Sequence, residues 1–401
     1  MIKRIYAKLI TDHFSVNRQM VFLSGARQVG KTTTALAALP AARYFNYDNV
    51  DDASVILGGV KSIAGDLNVQ TPAKEQHKVI FDEIHKYPRW KNLLKGFFDS
   101  YGEGRSIIVS GSARLAVYKR GGDSLTGRYF PFTVHPVSAR EAVGSPVDLD
   151  SVFQKPARIP ADVIDTLLVF GGFPEPFLKA SKRFYNNWRL TRREQVFRED
   201  LRDLSRVQDV RQIEVLGELL AAQVGSQTVM ANLANELRVK DDTVKAWITL
   251  LESLYICFQI QPWSANVANS LRKQPKIYLW DWSSVADMGA RRENLTASHL
   301  LKAVHWWNAC GLGDFGLYYL RDKQKHEVDF LIARDKKPFM MVEVKSSSRR
   351  SISPNIEYFQ KALKAPYAFQ LAFDMPASGI NPSELSRPAI IAAADLFKTL
   401  V

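Results

Sequence analysis

The most constraining stretch of the chain is Gly25-Ala26-Arg27-Gln28-Val29-Gly30-Lys31-Thr32, which fits the pattern G-x-x-x-x-G-K-[ST]. An apolar run, Met20 to Leu23, precedes it and reads as a buried strand; an Ala- and Leu-rich helical run follows and stops at Pro40. Strand, glycine loop and helix in that order are the context in which this pattern cradles phosphate. The two glycines let the backbone wrap so that its N–H groups point at anionic oxygens, and the helix starting near Lys31 adds its positive dipole end. Lys31 supplies a point charge for the terminal phosphates and Thr32 a hydroxyl for Mg²⁺. Residues 25–32, with Thr33 beside them, are the candidate nucleotide-binding set. The alternative is a glycine turn in some other α/β protein.

At 401 residues the chain is long enough for two or three domains, and 46% hydrophobic content supplies ordinary cores. The net charge of +13 favours an acidic polymer such as nucleic acid as partner and says nothing about fold. Cys257 and Cys310 are far apart in apolar surroundings, which predicts buried inert thiols in a reducing cytoplasm. Cys/His spacings typical of zinc sites, a signal-peptide core and a long uncharged apolar run are all missing from the sequence, so a cytoplasmic protein without a membrane span is expected.

Residues 1–19 predict a short amphipathic helix, with Ile2, Ile5, Leu9 and Ile10 on one side, and Arg43 to Tyr47 a strand. Lys78-Val79-Ile80-Phe81-Asp82-Glu83 is a buried strand ending in two carboxylates, and Asp82 lies 51 residues after Lys31. Neighbouring residues at a strand end point different ways, so Asp82 can serve the metal shell while Glu83 polarises a water. A helix over Trp90 to Tyr101 and another buried strand, Ile107 to Ser112, follow. Ser110 or Ser112 at its end is placed to sense the γ-phosphate; a plain Ser-Gly turn is the alternative. Beyond it, Arg128 in Ser124-Leu125-Thr126-Gly127-Arg128 is the candidate arginine finger, with Arg114 as competitor; an isolated arginine is more often a solvated surface residue. Alternating strands and helices predict a mostly parallel sheet with helices on both faces.

With these motifs in hand, the chain resembles the bacterial and archaeal AAA-type P-loop ATPases that carry a long-uncharacterised C-terminal domain. The resemblance covers nearly the whole chain: GARQVGKTT, VIFDEIHK, SGSAR, SLTGR with PVSAREA, GGFPEPFL, KIYLWD, REN, VDFLIA and VEVKSS. It implies ATP and Mg²⁺ as cofactors and a homo-oligomer, in a ring, whose Arg128 acts in trans. Ser110 stands where such relatives often have Thr, and the hydroxyl is kept.

Gly171, Gly172, Pro174 and Pro176 predict a chain reversal between domains. A basic stretch follows, Lys182, Arg183, Arg189, Arg192, Arg193, Arg198, Arg202 and Arg206, interleaved with Phe184, Tyr185, Trp188 and Phe197. It suits a nucleic-acid backbone or, alternatively, the solvated face of an amphipathic lid helix. Helices over 231–237 and 243–254, the second capped by Asp242, and a strand over 256–260 predict a winged-helix-like unit, with Lys240 and Lys245 near a phosphate; many such units mediate only protein contacts.

In the last third, a helix from Arg292 to Trp307 with Glu293 in its first turn precedes strands over 315–320, 327–333 and 339–344. Asp329 and Glu343, 14 residues apart, suit a hairpin, and alternation puts Glu343 and Lys345 on one face. Two carboxylates and a lysine can hold a metal and activate a water for phosphodiester attack. This D…E-x-K pattern resembles the PD-(D/E)XK nuclease fold, with Glu293 as its extra acid and Gln360 as its late polar residue. The expected architecture is α/β: a P-loop AAA-type domain over 1–155, a helical and winged-helix-like segment over 156–263, and a nuclease-like domain over 264–401. The expected function is a Mg²⁺-dependent, oligomeric ATPase acting on DNA; an ATP-occupancy switch with a vestigial nuclease-like domain is the alternative.

Overall fold

In the computed structural model, residues 2–68, 77–111, 125–201, 210–264, 274–348 and 351–401 are described. The chain divides into two compact units, Arg4–His135 and Met1–Lys3 with Pro136–Val401.

The smaller unit is a five-stranded sheet of β1 (Met20–Ser24), β2 (Arg43–Asn46), β3 (Lys78–Asp82), β4 (Ser106–Ser110) and β5 (Tyr129–Thr133) in the order β2-β3-β4-β1-β5. Every neighbouring pair is parallel. Strands β1 and β4 are buried at every position, as continuous apolar runs in a sheet covered on both faces should be. One face is closed by Trp90, Leu93, Leu94, Phe97 and Phe98 of the helix Trp90–Tyr101, packed with Phe22, Phe45, Phe81 and Val109. The helix Lys31–Ala38 lies against β1, β3 and β4.

The order has one consequence for chemistry. Strand β4 is inserted between β1, which leads into the glycine loop, and β3, which ends in Asp82. Leu23 and Asp82 both pair with Ser110, so the carboxyl ends of the three strands lie side by side. Such strand ends are where open α/β sheets hold ligands.

The larger unit is built on a mixed seven-stranded sheet of β6 (Cys257–Pro262), β7 (Lys276–Leu279), β8 (Phe315–Arg321), β9 (Glu327–Arg334), β10 (Lys337–Lys345), β11 (Tyr367–Ala372) and β12 (Ala389–Ala392), ordered β12-β11-β10-β9-β8-β6-β7. Strand β6 was expected to end the winged-helix-like segment. Instead it pairs antiparallel with β7 and parallel with β8, so the expected 156–263 and 264–401 segments share one sheet. Two helix starts also differ from expectation. The helix Asp241–Ser253 begins two residues earlier, with Lys240 as N-cap; Asp242 sits in the first turn with Asp241, where the helix dipole favours acids. The helix Met288–Ala309 begins at Asp287, whose carboxylate accepts the Ala290 N–H at 2.8 Å, so Glu293 falls in its second turn.

Two of the motifs noted in the sequence are structural. In PVSAREA, Ser138 and Glu141 form a reciprocal capping box, Arg140 donates to the carbonyls of Pro146, Lys155 and Lys398, and Glu141 forms a buried ion pair with Lys302. In GGFPEPFL, a Cβ on Gly172 would stand 2.4 Å from the Trp282 ring, so only glycine lets these segments close. Cys257 is buried, its thiol pushed up by burial, whereas Cys310 is half-buried, and the two form no disulfide.

His299 is fully buried, with Nε2 accepting the Ala139 N–H at 3.0 Å and Nδ1 at 2.9 Å from the Leu295 carbonyl, so the neutral Nδ1–H tautomer satisfies both contacts. Burial, against the Leu295 bond, lowers its pKa from 6.5 to about 4. The unfolded chain therefore binds the proton first, and the stability held above about pH 6.5 is lost as pH falls toward about 4. The loss is roughly 3 kcal/mol. His299→Gln should flatten the fall of the unfolding midpoint over that window; a fall as steep as the parent's would assign the acid limb to other groups.

Candidate functional site

The glycine loop has the geometry its sequence requires. Gly25 adopts φ +148° and Gly30 φ +95°, and a Cβ on Gly25 would stand 2.5 Å from the Val134 carbonyl. The helix Lys31–Ala38 opens directly on Gly30, and Thr34 closes its first turn through N and Oγ1 on the Gly30 carbonyl, at 2.9 and 2.7 Å. Lys31 is buried, and its Nζ turns into the loop toward the carbonyls of Gly25 (3.1 Å) and Ala26 (2.8 Å). Val29 and Ala26 are buried, Arg27 and Gly30 half-buried, and Gln28 and Thr33 exposed. Arg4, ahead of the first helix, is buried and donates to the carbonyls of Val29 and His135, which props the loop from behind.

Across the loop, Thr32 Oγ1 donates to Asp82 Oδ2 at 2.8 Å, as does Tyr44 Oη at 2.7 Å. Glu83 follows in a left-handed conformation, φ +54°, with its N–H on the Ser110 carbonyl at 3.0 Å. Non-glycine residues hold that conformation only where their surroundings impose it, and such residues cluster at functional sites. Glu83 Oε2 lies 3.6 Å from both Lys86 Nζ and His85 Nε2. Burial pushes the Glu83 carboxyl up; Lys86 opposes that and Asp82 adds to it. Ser110 Oγ is buried with no hydrogen-bond partner among the described residues. A buried hydroxyl left unpaired is unfavourable unless a ligand or water completes it.

The donor set fits a nucleotide with its divalent ion: an ammonium in a glycine cradle, a hydroxyl–carboxylate pair and an orphaned hydroxyl converge at three strand ends. Tyr44, His85, Lys86 and Arg4 escaped the sequence reading; only His85 and Lys86, adjacent to the Asp-Glu pair, left a local signal. Arg128 forms a two-point pair with Asp99, Nε to Oδ1 at 2.8 Å and Nη2 to Oδ2 at 3.0 Å. Ser112, Arg114 and Ser124 lie outside the described residues.

In the larger unit, the hairpin of β9 and β10 places Asp329 and Glu343 one step beyond the Phe330–Val342 pair, and Asp329 Oδ2 accepts the Val344 N–H at 2.8 Å. Lys345 Nζ pairs with Glu343 Oε1 at 2.6 Å, while Glu343 Oε2 is buried without a hydrogen-bond partner among the described residues. Burial raises the Glu343 carboxyl, against Lys345. The centre holds a further residue, Lys276 on β7. Its buried Nζ is 2.7 Å from Glu327, 3.6 Å from Glu293 and 3.6 Å from Asp329. Burial disfavours that ammonium, but the three carboxylates outweigh it and hold its pKa above the usual lysine range. Glu293 also accepts the Tyr278 hydroxyl at 2.7 Å and is pushed up by burial and by Asp329. Among the described residues no group of three or more His, Cys, Asp or Glu side chains is placed to hold a metal ion. Gln360 donates to the Ala365 carbonyl at 2.7 Å, closing its own helix end.

The basic stretch divides in two. Tyr185, Trp188 and Phe197 are buried, so they are not free to stack on bases. Arg192 lies over the Phe173 ring at 4.1 Å, and Arg193 pairs with Glu218 at 2.7 Å. Lys182, Arg183, Arg189 and Lys240 are exposed, as is Lys245, which pairs with Asp242 at 3.1 Å. Arg202 and Arg206, and the side chain of Arg198, fall outside the described residues.

Three family models match in succession: an AAA domain over residues 17–143 and two domains of unknown function over 161–294 and 288–373. With the all-parallel sheet and its glycine loop, the first match defines an AAA-type P-loop ATPase fold. An uncharacterized protein of Mycobacterium tuberculosis is 24% identical over 343 residues, covering 83% of this chain and 72% of its own. One of Methanocaldococcus jannaschii is 21% identical over 337 residues, covering 80% and 73%. Among solved structures, the Walker-type ATPase of Pyrococcus abyssi superposes with a TM-score of 0.46 at 14% identity, covering 73% of this chain and 96% of its own. No helix among the described residues is long and apolar enough to cross a membrane.

The contacts of Glu83 set a pH expectation. A water-polarising carboxylate acts only when ionised, so a raised pKa moves the acid limb of turnover upward. Lys86 holds that shift back. Lys86→Met should therefore move the acid limb of kcat to higher pH, with little change at alkaline pH; an unmoved limb would show that Glu83 is not the titrating group.

Proposed function

We propose that the chain is a Mg²⁺-dependent ATP hydrolase that works as a homo-oligomer on nucleic acid. The observation that carries this reading is the convergence of Lys31, Thr32, Asp82, Glu83 and Ser110 on one set of strand ends. Lys31 answers the phosphate charge, Thr32 and Asp82 hold the ion and its water shell, Glu83 takes the proton of the attacking water, and Ser110 senses the terminal phosphate. Bound Mg²⁺ would supply charge neutralisation at the phosphates.

Lys31→Ala should abolish nearly all hydrolysis and weaken nucleotide binding. Glu83→Gln should bind ATP yet turn over about 10²–10⁴-fold more slowly, the usual size of a general-base contribution. Parent-rate hydrolysis by Glu83→Gln would refute the assignment.

Arg128 is the proposed finger, acting across a subunit boundary after release from Asp99. Loss of a finger reduces turnover about 10³–10⁵-fold. Arg128→Ala should bind ATP normally, and mixing it with Lys31→Ala subunits should restore part of the activity. Mixtures that co-assemble without rescue would remove the trans role and promote Arg114.

DNA is the proposed polymer because the chain is +13 and Lys182, Arg183, Arg189 and Lys240 are exposed. A second reading of the C-terminal centre is favoured by Lys276: a nuclease-shaped scaffold, close to the PD-(D/E)XK pattern, that does not cut. Its ammonium already compensates Glu293, Glu327 and Asp329, the charge a metal would otherwise neutralise. Nicking assays with Mn²⁺ should give no cleavage by the full chain. Cleavage abolished by Lys345→Ala would instead establish a working metal centre at Asp329 and Glu343.

A further inference from the structure

The Asp82 carboxylate has a partner that lies outside both nucleotide-binding motifs. Tyr44 stands on β2 two residues before Asn46, and Asn46 is the residue paired with Asp82. Alternation puts Tyr44 and Asn46 on one face, and a diagonal neighbour on the next strand is within reach of an aromatic side chain. The backbone beneath it is pinned, because Arg43 donates to the Tyr44 carbonyl at 2.6 Å and pairs with Asp52 at 2.9 Å and Asp66 at 2.8 Å.

Three donors share the carboxylate. Tyr44 Oη and Thr32 Oγ1 both reach Oδ2, at 2.7 and 2.8 Å, and the Glu83 N–H reaches Oδ1 at 3.2 Å. A carboxylate oxygen offers two lone pairs, so the two hydroxyls fill Oδ2. Thr32 is the donor whose oxygen a divalent ion claims. When it turns away, one lone pair of Oδ2 is vacated and Tyr44 keeps the other. An ordinary phenol, with a pKa of about 10, is protonated at neutral pH, so Tyr44 is a donor there.

We propose that Tyr44 is a positioning residue for the divalent ion of this site: its hydroxyl holds the Asp82 carboxylate so that the lone pair vacated by Thr32 faces the water shell of the ion. The proposal rests on the reading of the site as an ATPase centre. It assigns Tyr44 no contact with the nucleotide, so ion binding and nucleotide binding should separate when the hydroxyl is removed.

The test uses the full chain and Tyr44→Phe, which keeps the ring. A non-hydrolysable ATP analogue is titrated in the presence of a chelator, and Mn²⁺ is then titrated into the analogue complex and followed by electron paramagnetic resonance. The variant should bind the metal-free analogue as the parent does and bind Mn²⁺ about tenfold more weakly, the order expected for one hydrogen bond to a charged group. Its half-saturating Mg²⁺ in turnover should rise correspondingly, with kcat regained at high Mg²⁺. Equal Mn²⁺ affinity in parent and variant would overturn the proposal. So would weakened binding of the metal-free analogue together with a lowered unfolding midpoint, which would make Tyr44 a packing residue. A parent chain that binds no metal–nucleotide complex at all would instead overturn the ATPase reading.

Discussion

The parallel ladder β3–β4–β1 is the constraint on which the nucleotide site depends. Because Ser110 pairs with both Leu23 and Asp82, the end of the loop strand, the Ser110 hydroxyl and the acidic pair are held at one level across three strands. Main-chain bonds at the tips continue the ladder, Gly111 N–H to the Leu23 carbonyl and Glu83 N–H to the Ser110 carbonyl. A slip of one residue in β4 would turn its side chains to opposite faces and take the Ser110 hydroxyl away from the site. The buried apolar faces of Phe22, Phe81, Ile107 and Val109 oppose such a slip, so the hydrophobic packing that folds the unit also aligns its chemistry.

Polar strain is concentrated at the same place. Glu83 occupies a left-handed backbone conformation, Lys31 rests on loop carbonyls and Ser110 keeps a buried hydroxyl without a partner among the described residues. Each is an arrangement that an apolar or regular alternative would avoid, and together they form a surface prepared for charge. The larger unit shows the opposite policy toward buried charge. Lys302 meets Glu141, and Lys276 meets Glu293, Glu327 and Asp329. Compensated in this way, buried carboxylates serve to fix the joint between the long helix, the edge strand β7 and the hairpin of β8 and β9, since an uncompensated charge in low dielectric is strongly unfavourable.

Much of this was legible in the sequence, for reasons that are local. The glycine loop, the buried strands over 20–24, 78–82 and 106–110, and the helix Trp90–Tyr101 all follow from backbone requirements and apolar periodicity inside one short window. The Asp329–Glu343 hairpin was equally readable, because its spacing and alternation place the two acids without reference to any other part of the chain. Helix starts were shifted where an unanticipated cap, Asp287 or Lys240, began the helix earlier.

What only the tertiary structure decided is which distant groups meet. Nothing local to Tyr44 points to Asp82, because their meeting depends on β2 and β3 being adjacent in a particular register. Nothing around Lys276 announces that its ammonium stands among the acids of the β9 strand and the long helix; pairing of β6 with β7 and β8 brings it there. The same holds for the aromatics near Arg189, whose helical face is turned inward by packing on Phe173. Sequence determined the phosphate loop and the acidic strand end, since both are written in backbone conformation and short-range pattern. Folding decided the partners of each charge, since those depend on sheet order, and sheet order is set by the competition of long-range contacts that no single window contains.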